Sequence, residues 1–485
     1  METFLSNRGY SILKKDIKPS DINEIKKKLT VKPFINTSYG PPASSFPIYC
    51  ESTRKLYLPR YYAQQKYGIA LNNKLYDGEP INIEFSKSLK EKQKPIVDAY
   101  INAAKTTGGG IISVPCGYGK TVIALYICCQ LKVKTLVVVH KEFLLNQWKD
   151  RIKEFIPDAK IGRLQSNVIY VEGYDIVIGM LQSISMIEYD LEIFSKFGLV
   201  IYDECHHLGA ETFSKALLKT GYKYTLGLSA TPKRLDGLSK VFEWYIGDIV
   251  YSIKKREEEN VKVKMINYEN DSTEYSKVIL NFKKQPNSAQ MINNICGFLP
   301  RTLRIISEVK TCLDEGRKIL LLSDRRDHLK ILHEIISKFE GYTCGFYLGG
   351  MKEKALQETE KKNVILGTFS MASEGFDCKY PLDTIILASP KSNIEQAVGR
   401  ILRQDAKDRV FIPLIIDVHD NFSLFAKQTI KRLNFYKKNN YNIETYDNDN
   451  NKLDINHYPK DKTNKSSQSS NRKGKFKEVE FEFLD

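Results

Sequence analysis

No stretch of the 485-residue chain runs apolar for the ~18 or more residues that a membrane-crossing helix needs. The opening "METFLSNRGYSILKKD" carries neither an apolar signal core nor a small-residue cleavage site. The expectation is an intracellular protein with no membrane partner. The nine cysteines are scattered and odd in number. They form no CxxC pair and have no His-x-x-x-His follow-up, so neither a zinc site nor a disulfide framework is written into them. They read as reduced thiols, most of them core fillers. What the chain has in excess is positive charge, formally +16, which favours a polyanionic partner because each neutralised phosphate releases counterions. Its 42% hydrophobic content suffices for real cores, and its length for about three domains.

The pattern divides the chain into five parts. Residues 1–88 read as a lysine-rich accessory region with the turn-rich "NTSYGPPASSFP". Over 89–245, "GIISV", "TLVVV", "DIVIG", "LVIYD" and "YTLGLS" are β-branched runs bounded by polar or glycine punctuation, as buried parallel strands are. Over 300–440, "KILLLS", "NVILGT", "DTIILAS" and "VFIPLII" repeat the signal. The fold class expected is α/β, with two parallel-sheet lobes. Between them, "DIVYSI" and "VKVKMINY" make 246–299 a hairpin-like connector. Residues 441–485 are rich in asparagine, lysine and serine and read as a disordered tail.

The stretch "VIYDECHHLG", residues 200–209, puts Cys205, His206 and His207 directly after two carboxylates, and so allows either a soft-metal cluster or an acid pair working with magnesium. "GGGIISVPCGYGKT" arbitrates. A strand runs into a glycine-containing loop and then a helix, the context of a phosphate site. Gly117 and Gly119 let backbone N–H groups approach phosphate oxygens, Lys120 reaches the β and γ phosphates, and the Thr121 hydroxyl binds Mg²⁺. The loop begins with Val114, where the standard pattern has glycine. The apolar run before Asp203 and Glu204 then reads as a buried strand that delivers both carboxylates to the ligand edge of the sheet. Asp203 is placed to hold Mg²⁺, and Glu204 to orient and deprotonate water. In the second lobe, "NIEQAVGRILRQ" carries Gln396, Arg400 and Arg403. The arginines stand three apart, hence on one face of a helix, where both can point across a cleft at a γ-phosphate.

Taken together these motifs resemble a superfamily 2 helicase of the DEAD/DEAH-like kind over roughly residues 89–420. "LKEKQ" resembles the upstream glutamine motif, "VPCGYGKT" motif I, "VVHKEFLLNQW" motif Ia, "IGMLQS" Ib, "DECH" II, "SATP" III, "LLSDRR" IV, "GTFSMASEGFD" V and "QAVGRILR" VI. The resemblance implies two RecA-like lobes with ATP and Mg²⁺ as cofactors. It makes Gln93 the adenine reader and gives His206, Ser229 and Thr231 the coupling of hydrolysis to lobe movement. Gly375 and Asp377 would sit at the interlobe cleft, while Lys141, Gln182, Arg325 and Thr368 would line a groove along the strand's phosphates. "SATPKRLDGL" followed by "WYIGDIVYSI" is similar to the XPB-like branch of DNA translocases, in which an Arg-x-Asp element follows motif III. The N-terminal pattern is similar to transcription-linked helicases of large cytoplasmic DNA viruses, including the poxvirus transcript-release helicase.

The resulting expectation is an ATP-dependent DNA helicase or translocase running 3′ to 5′, with DNA ahead of RNA as its nucleic acid. RNA polymerase or other transcription machinery would be a partner, and a virion and host-cytoplasmic location would follow if the chain is viral. An RNA helicase and a non-catalytic nucleic-acid- or polymerase-binding module are the alternatives. The oligomeric state is not written in the sequence.

Overall fold

The computed structural model describes residues 2–34, 44–115, 117–234, 236–253, 260–374, 376, 378, 380–404 and 406–454. The apolar runs of its first half are buried at every position rather than alternately: Gly109–Ser113, Thr135–Val139, Ile176–Met180 and Leu199–Tyr202. Strands covered by helices on both faces read this way. They join an eight-stranded sheet in the order Val168–Tyr170, Ile161–Gln165, Ile176–Met180, Thr135–Val139, Leu199–Tyr202, Tyr224–Ser229, Gly109–Ser113, Ile249–Ser252. Every pairing is parallel except that of the edge strand Val168–Tyr170. Neighbouring positions on one strand feed opposite cores: Val200 and Tyr202 pack into one cluster, Leu199 and Ile201 into the other.

The first of those clusters also takes in the N-terminal region. There a five-stranded sheet, ordered Cys50–Glu51, Lys55–Leu58, Gly9–Leu13, Thr3–Ser6, Asn72–Asn73, turns Leu5, Tyr10, Ile12, Leu56 and Leu58 into the same core as Tyr202, Phe242 and Ile246. Buried polar contacts fasten the join. The Tyr61 hydroxyl lies 3.0 Å from Thr225 Oγ1, and the Tyr245 hydroxyl donates to the Ile48 carbonyl at 2.6 Å.

The second large sheet has the order Cys344–Tyr347, Val364–Gly367, Ile319–Leu322, Thr384–Leu387, Leu414–Asp420, Lys262–Tyr268, Asn442–Tyr446, Lys452–Leu453, parallel throughout save its last pair. Two buried ion pairs tie its helices to the strand Leu414–Asp420. Arg301 grips Asp420 with both side chains fully buried, and Arg432 grips Asp417 at 2.8 Å. Among the described residues no helix is long and apolar enough to cross a membrane.

Three expectations need correction. The segment 246–299 is not a hairpin-like connector. Ile249–Ser252 is an edge strand of the first sheet, whereas Lys262–Tyr268 is an interior strand of the second. Its partners, Leu414–Asp420 and Asn442–Tyr446, arrive far later in the chain, where no local pattern reveals them. The tail does not begin at 441, because Asn442–Tyr446 and Lys452–Leu453 extend the second sheet. Their polarity is that of strands at a solvated edge. The rest of the expected tail, 455–485, lies outside the described residues. The run "VFIPLII" enters its strand only at Leu414, one residue beyond Pro413, since proline cannot donate to an interior ladder.

Candidate active site

The strand Gly109–Ser113 delivers the chain to a loop that ends at the helix Lys120–Leu131. Gly117 (φ 90°) and Gly119 (φ 78°) both occupy left-handed backbone, which a side chain disfavours. A Cβ on Gly119 would also stand 2.6 Å from Gln93 Nε2. Gln93 is buried beneath this loop: its Nε2 donates to the Tyr118 carbonyl at 2.9 Å, and its Oε1 accepts from the Lys90 N–H at 3.0 Å. Val114 is fully buried in the core, so an apolar residue there does what the consensus glycine would not, and packs.

The acids come from the neighbourhood the sheet dictates. Leu199–Tyr202 lies between Thr135–Val139 and Tyr224–Ser229, which in turn pairs with Gly109–Ser113. The turn after Tyr202 therefore emerges on the same edge as the phosphate loop. Glu204 sits there in left-handed backbone, φ 46°, with one carboxylate oxygen 3.6 Å from Lys120 Nζ and the other 3.4 Å from His206 Nδ1. Burial pushes Glu204 upward, but the Lys120 ammonium and the contacts with His206 outweigh it and hold the carboxyl well below its ordinary range. Asp203 moves the other way, raised by burial and by the charge of Glu204, with a Trp148 hydrogen bond and Lys120 opposing. That bond runs from Trp148 Nε1 to Asp203 Oδ2 at 2.9 Å, and Asp203 Oδ1 accepts the Glu204 N–H at 3.1 Å. Trp148 is a participant that sequence reasoning missed.

Cys205 packs into the core against Gly227, away from the histidines. His206 Nδ1 lies 3.1 Å from the Ser229 hydroxyl, and Ser229 Oγ accepts the Thr231 N–H at 3.2 Å. The acid turn and the "SATP" segment are thus joined through side chains. His207, for which the sequence suggested no role, lies between His140 and His206 in tilted ring contacts, with ring centroids 4.0 and 4.4 Å away. The Arg-x-Asp element closes the group. Arg234 pairs with Asp236 through two hydrogen bonds and donates a third to the His206 carbonyl.

The second-lobe residues sit differently from expectation. The helix bearing Gln396 is only Glu395–Val398, so Arg400 and Arg403 lie in the turns beyond it rather than on one helical face. Gly399 follows the helix directly, and each guanidinium is drawn to a carbonyl of its own lobe: Arg400 Nε to Ala372 at 2.6 Å, Arg403 to Phe376 at 2.7 Å. Arg403 lines a cleft of about 1140 Å³ whose other wall is Glu142, Asn146 and Asp150 of the first lobe. Gly375 and Asp377 lie outside the described residues. The four residues expected along a nucleic-acid groove divide between the lobes. Lys141 starts the helix Glu142–Phe155, and Gln182 donates to the His140 carbonyl at 2.7 Å. Arg325 bonds Asn293 and the Ala289 carbonyl, and Thr368 lies 3.2 Å from the Ser370 hydroxyl.

The donor set fits the expected ligands. One buried and one half-buried carboxylate, Glu204 and Asp203, lie beside Lys120, an excess of negative charge that suits a hard divalent cation, and two left-handed glycines at a helix start suit phosphate. Two RecA-like parallel-sheet lobes, with a phosphate loop and an acid pair on one edge of the first, define the class: a nucleotide-driven motor. Comparison with known proteins narrows it. The family described as Type III restriction enzyme, res subunit, matches residues 86–234. The chain is 36% identical over 456 residues to a protein of Acanthamoeba polyphaga mimivirus whose name calls it an ATP-dependent RNA helicase, covering 92% of this chain and 87% of that one. It is 34% identical over 199 residues to a DNA 3′-5′ translocase of Sulfurisphaera tokodaii, 40% of this chain and 42% of the other. Among solved structures, UvsW of phage T4 matches 92% of this chain and all of its own at 19% identity, with a TM-score of 0.37. The chain belongs to the superfamily 2 helicases, ATP-hydrolysing enzymes, in the group carried by large DNA viruses.

Proposed function

We propose that this helicase is a DNA translocase that tracks 3′ to 5′ and serves viral transcription, in transcript release or termination. The observation that carries the nucleotide half of the reading is the cluster of Lys120, Glu204, His206 and Ser229, in which each member is within 3.6 Å of the next. Lys120 neutralises the β and γ phosphates, and Glu204, kept ionised by Lys120 and His206, orients the attacking water and takes its proton. Thr121 and Asp203 would hold Mg²⁺, which when bound supplies neutralisation of the phosphate oxygens. Loss of the γ-phosphate alters what Glu204 and His206 face, and Ser229 and Thr231 feel the change. Arg400 and Arg403 must leave or keep their lobe-2 carbonyls according to whether the cleft is open or closed.

Trp148→Phe removes the indole donor from Asp203 and leaves a ring in the core. The Mg²⁺ concentration for half-maximal ATP turnover should rise about tenfold, as losses behind a metal ligand do, with the melting temperature monitored as a control. An unchanged Mg²⁺ dependence would remove Trp148 from the site.

The choice of DNA rests on the Arg234–Asp236 element that follows motif III, and on the translocase relative. The mimivirus relative's name favours RNA, which keeps an RNA helicase as the second reading. ATP turnover measured with duplex DNA, single-stranded DNA and RNA separates the two. Stimulation by DNA several times that by RNA is expected, together with displacement from 3′-tailed but not 5′-tailed substrates. Stimulation by RNA alone would transfer the assignment. A stalled-polymerase transcript-release assay, run with the homologous transcription machinery, tests the pathway and the polymerase partner.

A further inference from the structure

Three imidazoles meet beside the acid turn, and the nucleotide cycle described above employs only one of them. His140 follows the strand Thr135–Val139 directly and is buried. His207 lies against it with ring centroids 4.0 Å apart and planes tilted by 33°, and against His206 at 4.4 Å and 34°. The contact between His206 and His207 has to be imposed. They are neighbours on the 3₁₀ turn Cys205–Gly209, and successive side chains on a turn of three residues point about 120° apart. His140, packed against His207, holds the pair together, and the three rings form a file.

The file joins two places of different kind. At one end His206 Nδ1 faces two partners at once, Glu204 Oε2 at 3.4 Å and the Ser229 hydroxyl at 3.1 Å. Both separations are at the long end of hydrogen bonding, so a small turn of the ring decides which partner it serves. The backbone beneath is clamped: Arg234 donates to the His206 carbonyl, and the Asp203 N–H donates to the Val138 carbonyl at 3.1 Å. What can move is the ring, and its neighbour is His207. At the other end, the His140 carbonyl accepts from Gln182 Nε2 at 2.7 Å, and Lys141 opens the helix Glu142–Phe155. Gln182 and Lys141 are the two first-lobe residues expected along a nucleic-acid strand. A strand that draws on either of them displaces His140 first, and close-packed side chains transmit a displacement instead of absorbing it.

We propose that His207 is a positioning residue, which together with His140 passes the presence of a nucleic-acid strand on the first lobe to His206 and so sets the rate at which Glu204 works. This rests on the nucleic-acid-motor reading above. Without a strand, His206 divides Nδ1 between Glu204 and Ser229. With one, pressure through His207 turns the ring toward Ser229 and leaves the Glu204 carboxylate to the attacking water. The device needs ring contact and no proton transfer between the histidines.

The test uses the full chain, with His207→Ala and His207→Phe beside the wild type, and ATP turnover measured without nucleic acid and with single-stranded DNA, duplex DNA and single-stranded RNA. Turnover at saturating nucleic acid should fall about tenfold in His207→Ala, within the range for residues along a coupling path. Turnover without nucleic acid, the KM for ATP and the affinity for the nucleic acid should stay within about twofold of wild type. His207→Phe, which keeps a flat ring between the two imidazoles, should recover most of the stimulation. A merely structural role would instead lower both rates together, and the melting temperature with them. A second measurement fixes the route. Because His207 acts through His206 and Ser229, the double variant His207→Ala, Ser229→Ala should lose no more stimulation than Ser229→Ala alone, and losses that multiply would overturn the route. Stimulation unchanged in His207→Ala, a parallel fall of stimulated and unstimulated turnover, or an equal loss in His207→Phe would each overturn the positioning role while leaving the motor reading intact. If neither DNA nor RNA stimulates or binds the wild type, it is the motor reading that falls, and the role of His207 with it.

Discussion

Replacing Glu204 with glutamine should lower nucleic-acid-stimulated ATP turnover by about 10³-fold, within the range for a lost general base, while nucleic-acid binding stays near wild type. The side chain keeps its shape but loses the charge that Lys120, 3.6 Å away, and His206, 3.4 Å away, compensate. Lys120→Ala should cost a similar factor for a different reason. It removes the cation over the phosphates and also leaves Glu204 with the His206 contact but no lysine opposite Asp203, in a pocket where burial already disfavours both charges. ATP binding should therefore weaken in Lys120→Ala but persist in Glu204→Gln, a split that filter binding of labelled ATP resolves. Turnover by Glu204→Gln equal to wild type would remove that residue's assigned role and with it the acid-pair reading of the site.

The largest effect on stability belongs to Arg301. Its guanidinium is fully buried and donates to Asp420 at 2.7 and 3.0 Å, to the Ala388 carbonyl at 2.7 Å and to the Val418 carbonyl at 3.2 Å. Asp420 also accepts from the Tyr275 hydroxyl at 2.7 Å. Arg301→Met leaves a carboxylate and two carbonyls in the interior with their donor gone. Breaking a buried pair from one side costs about 3–5 kcal/mol, and at roughly 2–4 °C per kcal/mol the second lobe should melt some 6–20 °C lower. The double variant Arg301→Met, Asp420→Leu should recover a good part of that loss, because removing both partners also removes the uncompensated charge. If Arg301→Met alone melts like wild type, the pair is not structural.

What the sequence made legible follows from how local each signal is. Buried parallel strands announce themselves as continuous β-branched runs, so Thr135–Val139 and Leu199–Tyr202 could be placed within a residue. The acid turn and the phosphate loop are likewise short and contiguous, and the sheet order explains why they meet: one strand, Tyr224–Ser229, separates them. Lys262–Tyr268 reads as half of a hairpin because its true neighbours, Leu414–Asp420 and Asn442–Tyr446, come from the far end of the lobe. Trp148 was lost because an indole on an amphipathic helix reads as core. The usable hint was its N–H, which a buried tryptophan must satisfy, on a helix following the strand beside the one that ends at Asp203. Arg400 and Arg403 were misplaced because spacing of three suggests a helical face only while the helix lasts, and here it stops at Val398.

The N-terminal sheet and the first lobe have a single interior, with Leu5 and Tyr10 pooled beside Tyr202 and Phe242. Mechanically they are one chassis. A partner that clasps the front of the chain therefore clasps the half that carries Lys120 and Glu204, with no seam between the grip and the phosphate site.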